Sequence, residues 1–237
     1  MLAALLLATA PVTIEEKTDL LNFRYAWSAE AAAVPALDRR FRAEVAKVRA
    51  EAMKNARADR GARLASGSSP GDWNPHLFQR SWTTAGQTPR LLSLESATAA
   101  FTGGAHPNSG TTALLWDRRR GREIALSDLL RPGQSWDGAI RQPFCILLDR
   151  ERARRRQERV QRGEWPNQCP ALKELTLTLA DESGDRRFDH LAVTADPYVA
   201  GPYAEGPYEI ALPITARMVA RLRPQYRPSF EPQPPVQ

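Results

Sequence analysis

Between Leu37 and Ala52 apolar residues recur at three- and four-residue steps, at Leu37, Phe41, Val45, Val48 and Ala52, with charged residues on the remaining faces. A helix with that spacing carries one apolar stripe and is stable only when the stripe lies on another element. Gly61 is the expected stop. The neighbouring segments supply a surface to lie on. In Thr18 to Trp27, Leu21, Phe23 and Tyr25 alternate with polar or small residues, which is the period of a half-buried strand. Further strands are expected at residues 76–85, 90–101, 111–117, 174–181 and 187–195, the last two as a hairpin, and at Tyr208 to Pro213. A second helix is expected within 135–163, with Pro143 near the start of its main portion, and a short third one at 215–222 capped by Thr215.

This order predicts an α+β fold: a mainly antiparallel sheet with the long N-terminal helix and the second helix packed on one face. The 237 residues suffice for a real core. We divide them into an apolar start (1–10), an N-terminal half (11–108), a C-terminal half (109–224) that forms one compact unit with it, and a Pro-rich tail (225–237) expected to be mobile.

The start, "MLAALLLATAPV", is too short to span a bilayer, and Ala8-Thr9-Ala10 has the small-x-small form of a signal-peptidase site. It lacks a basic n-region, and Pro11 disfavours cleavage there, so it reads as the remnant of a signal peptide or as a buried terminal segment. Export to the periplasm or the medium is the preferred reading. Cys145 and Cys169 fit it: in an oxidising compartment they can pair and close a loop worth roughly 3 kcal/mol. Two cysteines alone make no zinc site. The net charge of +6 favours anionic partners, either nucleic acid or an anionic cell envelope.

Four stretches invite a chemical reading. Gly67-Ser68-Ser69-Pro70-Gly71 matches a nucleophile pattern, but its flanks are a helix end and a loop, whereas the chemistry needs a strand-to-helix elbow. Residues 149–162 hold seven arginines against three acids and could meet a nucleic acid. No aromatic residue in that run can stack on a base, and a solvated helix with Glu-Arg pairs is favoured. "FTGGAHPNSG" places Gly103, Gly104 and His106 between two strands, where the glycines suit a tight corner. His106 braces that turn, contacts a partner, or joins Asp189 or His190 in a site; the first is favoured. Asp189 and His190, as neighbours in a strand, should point to opposite faces. Finally, "DPYVAGPYAEGPY" carries Tyr198, Tyr203 and Tyr208, which either cover the core or form a binding surface.

The run Phe101 to His106, "WDRRRGREIALSDLL" and "FDHLAV...YAEGPYEIALPI", in that order, resemble the extracytoplasmic region shared by RsiV-like anti-sigma factors and the non-catalytic segment of PdaC-like peptidoglycan deacetylases. That region is the pair of domains of unknown function DUF4163 and DUF3298. The resemblance runs from about Thr18 to about Leu222, with a PdaC-like first half and an RsiV-like second half. It implies an exported module that binds something in the envelope; the RsiV-like proteins sense lysozyme. Neither a sigma-binding segment nor a spanning helix is seen here, and a basic lysozyme would be repelled by a basic surface. The catalytic domain of the deacetylases is also missing.

The resulting expectation is a non-enzymatic binding module for peptidoglycan, another anionic glycan or an envelope hydrolase, with Gly103, Gly104, His106, Tyr198, Tyr203 and Tyr208 as binding residues. No catalytic residue, metal ligand, cofactor or nucleic-acid partner is expected. The alternative is a metal-assisted hydrolase of envelope glycan built on His106.

Overall fold

A computed structural model describes residues 10–161 and 163–235. The apolar start up to residue 9, on which the export reading leans, lies outside them. Among the described residues, nine strands form two sheets. The larger sheet has six strands in sequential order: β1 (Val12–Lys17), β2 (Leu21–Trp27), β3 (His76–Gln87), β4 (Leu91–Phe101), β5 (Asn108–Asp117) and β6 (Arg122–Ile124). The smaller is β7 (Thr176–Ala180), β8 (His190–Ala195) and β9 (Tyr208–Pro213), antiparallel throughout. The α+β class expected from the sequence is thus observed, but with two sheets instead of one. The contacts of the chain likewise cluster into two units, Met1–Thr83 with Ser96–Gly110, and Thr84–Glu95 with Thr111–Gln237.

In the first unit, β2 and β3 run parallel, with Leu21 opposite His76, Phe23 opposite Phe78 and Trp27 opposite Trp82. A parallel pair cannot be joined by a tight turn, so the chain must cross over. It does so through α1 (Ala29–Ala32) and α2 (Pro35–Ala65). Ser28 caps α1 by accepting from Ala31 N. The apolar stripe of α2 buries Leu37, Phe41 and Val45, and Phe41 stacks on Trp82 with ring centroids 5.2 Å apart. Trp82 Nε1 donates to the Tyr25 hydroxyl at 2.9 Å, which satisfies the polar ends of both rings inside the core. Gly61 does not stop the helix; four more residues follow, and nothing lies near where its Cβ would be. Strand β1, missed in the sequence, pairs antiparallel with β2. Its alternation joins two apolar residues to charged ones on a half-buried edge, too weak a pattern to read without its partner.

In the second unit, α3 (Asp137–Arg156) packs on β9, and Ile140, Phe144 and Leu148 join Leu191, Val193 and Leu212 in one core. The helix stops at Gln157, in the left-handed region, short of the residue 163 expected. Cys145 on α3 and Cys169 form a disulfide with Cα atoms 5.6 Å apart. α4 (Ala216–Arg221) is capped by Thr215, as the sequence suggested. The tail corrects the expectation of mobility. Tyr226 and Phe230 are buried, the Tyr226 hydroxyl donates to Asp117 Oδ2 at 3.1 Å, and the backbone around Ser229 to Glu231 bonds Phe188 on both sides. Proline-rich sequence signals a chain without helix, and here that chain is pinned by two aromatic anchors.

Candidate functional site

The double-glycine corner forms one wall of a cleft of about 530 Å³. Gly103 and Gly104 have φ of 101° and 100°, a region that L side chains rarely adopt, and no atom lies within 4 Å of a Cβ built on either. Glycine is therefore required there by conformation, and the rim stays low. The floor is not His106 but His76, the first residue of β3. Even-numbered residues of that strand face α2: Trp82 meets Phe41, Arg80 pairs with Glu44, and His76 meets Asp59. His76 is 3% exposed, and Trp73 lies against it with ring centroids 5.2 Å apart. Two buried nitrogens here, His76 Nε2 and Trp73 Nε1, make no hydrogen bond among the described residues. Asp59 Oδ2 is 3.4 Å from His76 Nε2, and its side chain is about half exposed. Arg63, also on the cleft wall, donates to the Asp72 carbonyl at 3.3 Å.

His106 is half-buried, with Nδ1 3.0 Å from the carbonyl of Pro107, the next residue. Asp189 and His190, expected on opposite faces, are in contact, Nδ1 to Oδ1 at 3.0 Å. Alternation does not apply to them because β8 begins only at His190. Asp189 also accepts from the backbone N–H groups of Glu182 and Ser183 and shapes the turn before the strand. Burial raises its pKa, but these donors and His190 outweigh that and hold it below the usual aspartate range. Among the described residues no three His, Cys, Asp or Glu side chains cluster as a metal would need. The Gly67 to Gly71 match sits on a short 3₁₀ turn, Pro70–Asp72, where Ser69 N donates to Asp72 Oδ2. It lacks the elbow that a nucleophile needs.

Three arginines of the α3 run are built into the fold. Arg152 is fully buried and donates to the carbonyls of Ala200, Asn167 and Gln168 and to Asp149. Arg155 reaches the carbonyls of Glu205 and Pro207, and Arg156 grips the Glu205 carboxylate with two nitrogens, at 2.8 and 2.9 Å. Glu151 pairs with Arg154 and Arg155, and these bonds bring its pKa down to about 2. The expected Glu-Arg pairing is present, with Arg154 mostly exposed, whereas Arg152 is buried and Arg155 and Arg156 are half-buried.

That clamp holds the tyrosine loop. Tyr208, expected on the binding surface, is fully buried: its ring lies under the Arg155 guanidinium at 4.1 Å and its hydroxyl donates to Glu205. Burial, then the Glu205 carboxylate, raise its pKa. Tyr198 and Tyr203 lie 5.8 Å apart, and Tyr198 is 53% exposed. Trp165, which the sequence reading passed over, is 52% exposed and donates from Nε1 to the Tyr198 carbonyl. Tyr198 has φ of 72°, rare for a bulky side chain, and is held there by Tyr198 N to Gly201 O and by the Arg152 grip on Ala200.

With this geometry in view, the chain can be set beside the proteins it is similar to. The family model described as "Deacetylase PdaC" matches residues 14–109, the stretch that holds the His76 cleft. Among solved structures, a DUF3298 family protein from Pseudomonas aeruginosa is 18% identical, with a TM-score of 0.53, covering 96% of this chain and 97% of that one. A DUF3298 family member from Bacteroides fragilis is 14% identical, with a TM-score of 0.52, covering 92% of this chain and 95% of that one. No curated protein matches. Residues 14–109 are thus similar to the PdaC family model, and the two structures speak to the fold alone.

Proposed function

We propose that this chain is an exported, non-enzymatic binding module that recognises a cell-envelope component: peptidoglycan, another anionic glycan, or an envelope hydrolase such as lysozyme. The observation that carries this reading is the aromatic loop. Two aromatic residues about half exposed, Trp165 and Tyr198, stand beside Tyr203; the Tyr198 backbone is costly to hold and the loop is fixed from beneath by the buried Arg152. Strained, over-determined backbone under exposed aromatic rings is what a contact surface needs, because the rings then lose little freedom on binding. The net charge of +6 suits an anionic glycan, and the disulfide suits an oxidising compartment. No helix among the described residues is long and apolar enough to cross a membrane.

Retention of the purified protein on isolated sacculi and on immobilised lysozyme tests the reading. Wild type is expected to be retained on one of them, and Tyr198→Ala with Trp165→Ala to lose at least about tenfold in affinity, the effect of a central aromatic anchor. No retention on either material overturns the named partners, and undiminished retention of the folded double variant overturns the surface.

A further inference from the structure

The His76 cleft does not stop at His76. A second cavity of about 220 Å³ adjoins it, lined by Val48 and Ala52 of α2 and by Leu77, Phe78 and Ala100 of the sheet, with His76 and Thr102 common to both. All these residues belong to the first compact unit. The two chambers differ in chemistry. One offers Trp73 Nε1, His76 Nε2, Arg63 and the backbone of the glycine corner; the other offers mainly aliphatic and aromatic carbon, with Glu51 and Asn55 at its edge on α2.

From this juxtaposition we infer that the paired chambers form a binding site for a small aliphatic carboxylate, its head beside His76 and Trp73 and its chain in the apolar chamber. Buried polar atoms in folded proteins are normally hydrogen-bonded, and an orphan costs about as much as a lost hydrogen bond. Two orphans at one cleft are therefore a departure that a ligand would correct. An indole N–H can only donate, so the ligand must bring an acceptor. The place beside His76 Nε2 already admits a carboxylate oxygen, since Asp59 Oδ2 lies 3.4 Å away. Asp59 is a poor permanent occupant: it makes no hydrogen bond to the ring and about half of its side chain is in water. A ligand carboxylate that displaces it gains the His76 and Trp73 contacts, with the Arg63 cation on the same wall. One negative charge is the limit, because the displaced Asp59 remains nearby. The low glycine rim leaves the entrance clear of side chains. This site is separate from the aromatic loop and does not depend on envelope binding.

Titration of the full chain with butyrate, hexanoate and octanoate, followed by calorimetry and by tryptophan fluorescence, is the test. Saturable binding of octanoate is expected, tightening by up to about fourfold for each methylene added until the chamber is full. Octanol, which keeps the chain without the charge, should bind at least about tenfold more weakly. His76→Leu should weaken octanoate binding, Ala52→Phe should abolish it by filling the apolar chamber, and Asp59→Ala should tighten it by removing the competing carboxylate. The last result is one that unspecific association with an apolar surface would not give. If Ala52→Phe does not fold, Ala100→Leu fills the same chamber from the sheet. The inference is overturned by the absence of saturable octanoate binding at about 1 mM, or by affinity indifferent to chain length, to the chamber-filling variants or to Asp59→Ala. Retention on sacculi should be unchanged by octanoate, so the two readings fail separately.

Discussion

The arginine clamp of α3 and the His76 cleft both bury polar side chains, and they do so in opposite ways. Arg152 is fully buried and each of its nitrogens has a partner, three of them backbone carbonyls that helices and strands leave over. His76 is almost as buried, yet its Nε2 has no hydrogen bond, and Trp73 Nε1 beside it has none either. A satisfied network fixes one arrangement of the chain; an unsatisfied one stores a binding opportunity at the expense of stability. The contrast teaches that exposure alone does not separate structural from functional polar groups. The state of their hydrogen bonds does.

Three measurements can break or sharpen the contrast. The largest effect belongs to Arg152→Met, which removes the cation from Asp149 and strips the carbonyls of Ala200, Asn167 and Gln168 of a donor. Chemical denaturation should show a loss of about 3–5 kcal/mol, the cost of breaking a buried charge network on one side. A loss below about 1 kcal/mol would mean the clamp is not what holds the tyrosine loop.

Acid should act on the same region with a smaller effect. Glu151 titrates at about 2 in the folded chain against an ordinary value near 4.5, because Arg154 first, and Arg155 after it, hold its charged form. Its folded pKa is depressed, so its contribution is fully present above the unfolded value and fades as pH falls from about 4.5 towards 2. Glu205 shifts the same way: burial raises its pKa, but the bonds from Arg156 and Tyr208 and the charges of Arg156 and Arg152 together outweigh it. The melting temperature should therefore fall through that window, and Glu151→Gln should flatten part of the fall. Arg154 is mostly exposed, so added salt should reduce the Glu151 share.

The smallest effect is expected for His76→Leu, whose stability should stay within about 1 kcal/mol of wild type or rise slightly, since an apolar side chain leaves no orphan behind. A loss of several kcal/mol would show that the imidazole is held in the folded protein after all, and the contrast would collapse.

Much of this fold was legible from periodicity. The stripe from Leu37 to Ala52 and the alternation in Leu21 to Trp27, 76–85 and Tyr208 to Pro213 depend only on which residues share a face of one element, and each became the element expected. The cysteine pair was legible as a pair that can form. The corner at Gly103 and Gly104 was found as a turn, because positive φ leaves its mark in the residue type.

The cleft behind that corner was not legible in the same way. His76 and Asp59 are 17 positions apart on different elements, and they meet only because the parallel pairing of β2 with β3 sets His76 under the second half of α2. His106, which shares the glycine stretch, was the visible candidate, and its Nδ1 lies 3.0 Å from the carbonyl of Pro107. The signal that could have found His76 is the period of β3 itself, which puts it on the same face as Trp82.

What the sequence determined by itself is local: helix and strand faces, the capping threonine, the glycine corner and the strong positive charge. What only the tertiary structure decided is which polar groups found partners, turning a run of arginines into an internal clamp and Tyr208 into core, docking the tail through Tyr226 and Phe230, and leaving His76 and Trp73 unsatisfied. The physical reason is that periodicity follows from backbone geometry within one element, whereas hydrogen-bond satisfaction depends on which carbonyls and carboxylates are brought alongside from distant parts of the chain.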